Sequence, residues 1–141
     1  MKVDEITSAI IGAAIQVHKE LGPGLLESAY EHCLTHLLRK RGYKVELQLT
    51  LPVRFDGELI DAGYRIDMLV NDTVIVELKA VEVVNPVFEA QLLSYLKLSG
   101  KPIGLLINFH VPQLTKGIKR LINWESPYYT PLTSNQTSES L

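Results

Sequence analysis

Ile6, Ile10, Ala13, Ala14, Val17 and Leu21 recur at the spacing of an apolar helix stripe. Gly22-Pro23-Gly24 breaks that helix. A second stripe, Leu26, Tyr30, Cys33, Leu34, Leu37 and Leu38, predicts another helix. Arg39, Lys40 and Arg41 suit the negative end of its dipole, and Gly42 can cap it. The period then changes to two. Val45, Leu47, Leu49, Leu51, Val53 and Phe55 alternate with polar residues, which predicts one long strand with one apolar face. Asp56-Gly57 is a two-residue hairpin turn that pairs Val53 with Ile60. The return strand then sets Ile60, Ala62, Tyr64, Ile66, Met68 and Val70 on the apolar side and Asp67 on the opposite, polar side.

Asn71 and Asp72 turn the chain into "TVIVELK", and here register decides which face each side chain joins. A two-residue loop would set Asp67 beside Val76. A three-residue loop over 71–73 would set it opposite Glu77, and Asn and Asp tolerate the left-handed backbone such loops use. The longer loop gathers Asp67, Glu77 and Lys79 on one face. The shorter one strands acid and base on the apolar side, so the three-residue loop is expected. Asn85 reads as an N-cap and Pro86 as the first residue of a helix over 86–99, with Gly100 and Pro102 ending it. "PIGLLINF" is a nearly continuous apolar strand, expected to be buried on both faces. A last helix is predicted from about Gln113 to Asn123, with Leu114, Ile118, Leu121 and Ile122 inward. The pattern predicts one α/β domain over residues 1–124. Its mixed sheet would have three antiparallel strands and a further strand after a crossover helix, flanked by helices. Residues 125–141, rich in Ser and Thr, are expected as a flexible tail.

A chain of 141 residues suits one core. With 46% hydrophobic and 21% charged residues it reads as globular, and a net charge of −2 excludes a general basic coat for nucleic acid. Any basic patch must be local. The lone Cys33 excludes an intrachain disulfide framework and fits a reducing cytosol, so a cytoplasmic location is expected. The apolar run "AIIGAAIQV" is too short for a membrane span, and Asp4 and Glu5 before it argue against a signal peptide.

The charged residues carry the chemistry. Two carboxylates at hairpin distance, Asp67 and Glu77, can hold a hard divalent cation such as Mg²⁺. Such an ion acidifies a bound water and polarises a phosphoryl oxygen, and an ammonium such as Lys79 can steady charge on a phosphate. That set suits phosphodiester hydrolysis. The same residues also make a plain ion pair across a wet strand face, and spacing alone leaves both open. Lys116, Lys119 and Arg120 would share a face of the last helix, as a phosphate grip or as a solvated face. His32 and His36 are four apart, but they lack a third zinc ligand and an HExxH motif.

"YRIDMLVNDTVIVELKA" resembles the PD-(D/E)XK nuclease superfamily, whose motif is an Asp followed by Glu-x-Lys. Ile66 stands where that motif has proline, which is not a ligand. "GLLESAY" resembles the signature of the GxxExxY family within it. "VHKELGPG", "EAQLLSYLKL", "GLLINF" and "GIKRLI" extend the resemblance from about Ile6 to Asn123. The resemblance implies a restriction-endonuclease-like core and a Mg²⁺- or Mn²⁺-dependent nuclease, with DNA the expected substrate ahead of RNA. Asp67, Glu77 and Glu27 would be metal ligands and, with Lys79, the catalytic set. Glu27 could instead complement its helix dipole. Gln91 and Tyr95 resemble the Q-x-x-x-Y motif of the RecB-like branch, which lines the site and positions DNA. Tyr95 also fits core packing. His18 fits an upstream metal-binding histidine only loosely and reads as well as a satisfied one. Double-strand cleavage would need two sites, so a homodimer is expected. The alternative is a non-catalytic module of the same fold that binds nucleic acid or protein.

Overall fold

The computed structural model describes residues 2–129. Helix α1, Val3–Leu21, buries Val3, Ile6, Ile10, Ala13, Ala14 and Val17, the predicted stripe. Helix α2, Glu27–Lys40, buries Tyr30, Leu34 and Leu38 on one side. Gly42 follows it with φ +92°, and Tyr43 N–H donates back to the Leu38 carbonyl at 3.0 Å. Strands β1 (Val45–Thr50), β2 (Val53–Phe55), β3 (Glu58–Ile60), β4 (Arg65–Val70) and β5 (Val74–Lys79) come next. Helix α3, Pro86–Ser99, has the predicted bounds: the Asn85 side chain accepts from Val87 N–H, and Gly100 closes the helix in the left-handed conformation. Strand β6 (Ile103–Asn108), a 3-10 turn (Leu114–Gly117) and strand β7 (Ile118–Ile122) complete the fold.

The main sheet has the order β1-β4-β5-β6-β7. Only the β5–β6 pair is parallel, with α3 as its crossover. Helices α1 and α2 cover one face, packing on Met68, Val70, Val76, Leu78, Leu105 and Ile107. Helix α3 covers the other through Leu92, Tyr95 and Leu96, which meet Leu69, Ile75 and Leu106. The face expected to be polar is therefore the floor of a second apolar layer. Among the described residues no helix is long and apolar enough to cross a membrane.

Two expectations are corrected. The strand predicted over 45–55 breaks after Thr50, because Pro52 has no N–H to give a ladder. Strands β2 and β3 form a separate two-stranded ribbon. The pairing of Val53 with Ile60 is as predicted, but Phe55, Leu59 and Ile60 stand exposed. The helix predicted over 113–123 is instead the 3-10 turn and β7. Strand β7 alternates: Ile118 and Ile122 pack toward α1 and α2, and Leu121 packs toward α3. It pairs with the open edge of β6, which supplies hydrogen bonds that a helix there would leave unmade. Gly117 makes the junction, since a Cβ at this position would collide with the Asn108 carbonyl oxygen.

Of the expected tail, residues 125–129 form turns. Ser126 is buried there, and its hydroxyl donates to the Gly100 carbonyl at 2.7 Å. Residues 130–141 lie outside the described residues.

Candidate active site

The β4–β5 register is the three-residue-loop one. Met68 pairs with Val76, Leu69 with Ile75 and Val70 with Val74. Asn71 and Asp72 take φ of +49° and +55° in the loop. One further step sets Asp67 opposite Glu77. There the carboxylates take over backbone hydrogen bonds. Asp67 N–H donates to Glu77 Oε1 at 3.2 Å, and Leu78 N–H donates to Asp67 Oδ2 at 3.3 Å.

A kink in β1 makes this possible. Leu47 pairs with Met68 and Leu49 with Ile66, and between them Gln48 sits at φ +52°.

 At 52° this is the one non-glycine residue outside a hairpin turn with a left-handed backbone among the described residues. Such a backbone costs a glutamine on the order of 1 kcal/mol. It turns both strands over: Leu47 and Met68 pack toward α1 and α2, whereas Leu49 and Ile66 pack toward α3. The expectation that Ile66, Met68 and Val70 share one face is thereby corrected. Gln48 Nε2 donates to Glu31 Oε2 at 3.3 Å, which ties the kink to α2.

The electrostatics follow from this packing. Glu77 is only 7% exposed, and its pKa is pushed up to about 9. Burial is the largest cause, followed by the hydrogen bond and charge of Asp67, with Lys79 opposing. At neutral pH Glu77 therefore keeps its proton unless a cation replaces it. Lys79 Nζ lies 4.4 Å from the centre of the Phe88 ring on α3, a cation–π contact. Asn108, opposite Lys79 in the parallel register, holds the chain beyond β5: its side chain bonds both Val81 N–H (3.1 Å) and the Val81 carbonyl (2.9 Å).

Glu27 starts α2 and is exposed. Burial raises its pKa, the Lys79 charge lowers it and the Asp67 charge raises it, so its carboxyl lies within range of both charges. Tyr30 explains its placement. The Tyr30 hydroxyl donates to the Gly22 carbonyl at 2.6 Å and accepts from Leu25 N–H at 3.1 Å. Its ring stacks on Phe109 at 4.3 Å, and Phe109 N–H donates to the Lys79 carbonyl at 2.8 Å. A run of contacts thus links the first turn of α2 to the end of β5. Tyr30→Phe should keep the stack and lose both hydroxyl bonds, lowering stability by about 1–3 kcal/mol. Urea unfolding checks this as a midpoint shift at constant slope. An unshifted midpoint would show that the loop is held by other contacts.

Tyr95 is buried, and its hydroxyl pKa is raised by burial and then by Glu77, Asp67 and Tyr64. Gln91, one turn earlier, is exposed. The basic trio does not form one patch, which corrects the shared helix face. Lys119 pairs with Glu89 of α3 at 2.8 Å, whereas Arg120 reaches Thr7 of α1 at 3.5 Å on the opposite face. Lys116 joins Lys119 along a cavity of about 370 Å³ beside Glu89 and Asn108. His18 is a satisfied core residue, its Nε2 2.7 Å from the Val111 carbonyl oxygen.

Two site residues escaped the sequence pattern. Glu31 lies one turn after Glu27, and burial and Asp67 raise its pKa. Its spacing from Glu27 was the available signal. Gln48 looked like an ordinary polar strand residue. Among the described residues, no three His, Cys, Asp or Glu side chains are grouped so as to hold a metal ion as they stand. Asp67 and Glu77 nevertheless fit a cation chemically: they are opposed oxygen donors, and the buried member needs a positive charge or a proton.

A five-stranded mixed sheet between helices, with an acid facing Glu-x-Lys on its central strands, fits a restriction-endonuclease-like core. The chain belongs to the PD-(D/E)XK nuclease superfamily, whose family model matches residues 4–121. Comparisons with curated proteins and with solved structures give no match.

Proposed function

We propose that this chain is a GxxExxY-type member of the superfamily and a Mg²⁺- or Mn²⁺-dependent nuclease that hydrolyses phosphodiester bonds in DNA. The observation that carries the reading is that the opposed Asp67 and Glu77 carboxylates each accept a backbone N–H of the facing strand, with Glu77 raised to about 9. Asp67 and Glu77 would hold the ion, with Glu27 as a third ligand after a side-chain rotation. When bound, the ion supplies an activated water and a polarised phosphoryl oxygen. Lys79 orients the attacking water and offsets charge that develops on the phosphate, and Phe88 keeps its ammonium in place. Gln91 and Tyr95 line the substrate side. Lys116 and Lys119 meet phosphates further along, while Arg120 serves a separate stretch of backbone around the sheet edge. Duplex cleavage needs two such sites, so a homodimer is part of the proposal.

The test is incubation of the purified chain with DNA and Mg²⁺ or Mn²⁺, beside Asp67→Ala. Cleavage by the parent and none by the variant is expected. No cleavage, or equal cleavage by both, would overturn the enzyme reading. The second reading, a non-catalytic binding module, is favoured by the net charge of −2 and by the unassembled ligand trio. It predicts nucleic-acid or protein binding that Asp67→Ala leaves unchanged.

A further inference from the structure

Between the β2–β3 ribbon and α3 lies a groove of about 670 Å³, lined by Val53, Tyr64, Phe88, Gln91, Ser94 and Tyr95 among others. Its aromatic wall is built: the Tyr64 and Tyr95 rings meet edge to face with centroids 6.0 Å apart. Two residues join it to the candidate active site. Tyr95 lies within the field of Glu77 and Asp67, and Phe88 carries the Lys79 ammonium 4.4 Å from its ring centre. A phosphate at the carboxylates would thus place the nucleoside attached to it at the mouth of this groove.

The lining says which part of a nucleotide fits. None of the described lining residues carries a charge, so a phosphate would find no counter-ion there. Aromatic faces suit the π-face of a base, and the Gln91 amide and Ser94 hydroxyl suit its donor and acceptor edge. A base inside a duplex is stacked and cannot offer its face to the groove. We propose that the groove between the ribbon and α3 is a nucleobase subsite, which makes the substrate a single-stranded or locally unpaired nucleic acid. This inference rests on the nuclease reading and names its substrate class.

The test uses the full chain in metal-free buffer, where binding is read without cleavage. The probe is a short oligodeoxynucleotide carrying the fluorescent base 2-aminopurine, offered single-stranded or as a duplex. The single strand should bind with a change in fluorescence, and the duplex should bind far more weakly. Tyr64→Ala should weaken single-strand binding about ten-fold, the usual worth of one stacking side chain, while Tyr64→Phe keeps it. Tyr64 is 42% exposed, so both variants should fold, and circular dichroism checks that they do. Equal binding of duplex, absence of binding, or indifference to Tyr64→Ala overturns the subsite. So does sedimentation showing the groove closed by a second copy that Tyr64→Ala releases. Cleavage that ignores Tyr64 would remove the subsite and leave the nuclease. Tyr64-dependent binding without cleavage in Mg²⁺ or Mn²⁺ would do the reverse.

Discussion

Glu77→Gln is expected to slow cleavage about 10³-fold and yet to stabilise the metal-free protein above neutral pH. In the unfolded chain this carboxyl titrates at its ordinary value of 4.5, whereas in the fold it holds its proton to about 9. Between those values the folded state binds a proton that the unfolded state lacks. The stabilisation linked to that proton is full below 4.5 and is lost as the pH rises through about 9. Glutamine has nearly the same shape and no proton to lose, so the variant escapes this part of the pH dependence. Thermal melts in a chelator at mildly acidic and alkaline pH should show the variant gaining on the parent as the pH rises. Cleavage in Mg²⁺ should fall about 10³-fold, because the buried carboxylate proposed as a ligand is gone. A variant whose melting follows the parent's at both pH values would show that Glu77 is not the group that holds the proton. Stability gained at the expense of activity is the signature of a functional group held against its own preference.

Lys79→Met is expected to slow cleavage about 10²–10³-fold while leaving metal affinity nearly unchanged. Methionine keeps the apolar stem and removes the ammonium, and with it the cation–π contact to Phe88. Single-turnover rates with saturating Mn²⁺ separate the two effects. If metal binding fails together with the rate, Lys79 acts by holding the carboxylates in place and not on the phosphate.

Much of this site could be read from the residues. Asn71, Asp72 and Thr73 dictated a three-residue loop, and the loop dictated that Asp67 faces Glu77. Asn85, Pro86 and Gly100 marked α3 at both ends. The stretch from Ile118 to Ile122 misled because five residues satisfy a helical and an alternating pattern equally well. What decided it was the unpaired edge of β6, a tertiary fact. Gln48 was unreadable for a different reason. Its left-handed backbone is imposed by the strands around it and by Glu31, and side-chain periodicity carries no record of φ. The Glu27-to-Tyr30 spacing was legible as a motif, but its physical reason, a hydroxyl pinning the Gly22–Leu25 loop, needed coordinates.

The most direct measurement is a calorimetric titration of the chain with Mn²⁺ at neutral pH, in two buffers of different ionisation heat. One ion should bind per chain with release of about one proton, since the ion takes the place of the proton held by Glu77. Asp67→Ala should lose that binding. Absence of heat at millimolar Mn²⁺, or binding that Asp67→Ala does not alter, would contradict a cation site between these two strands.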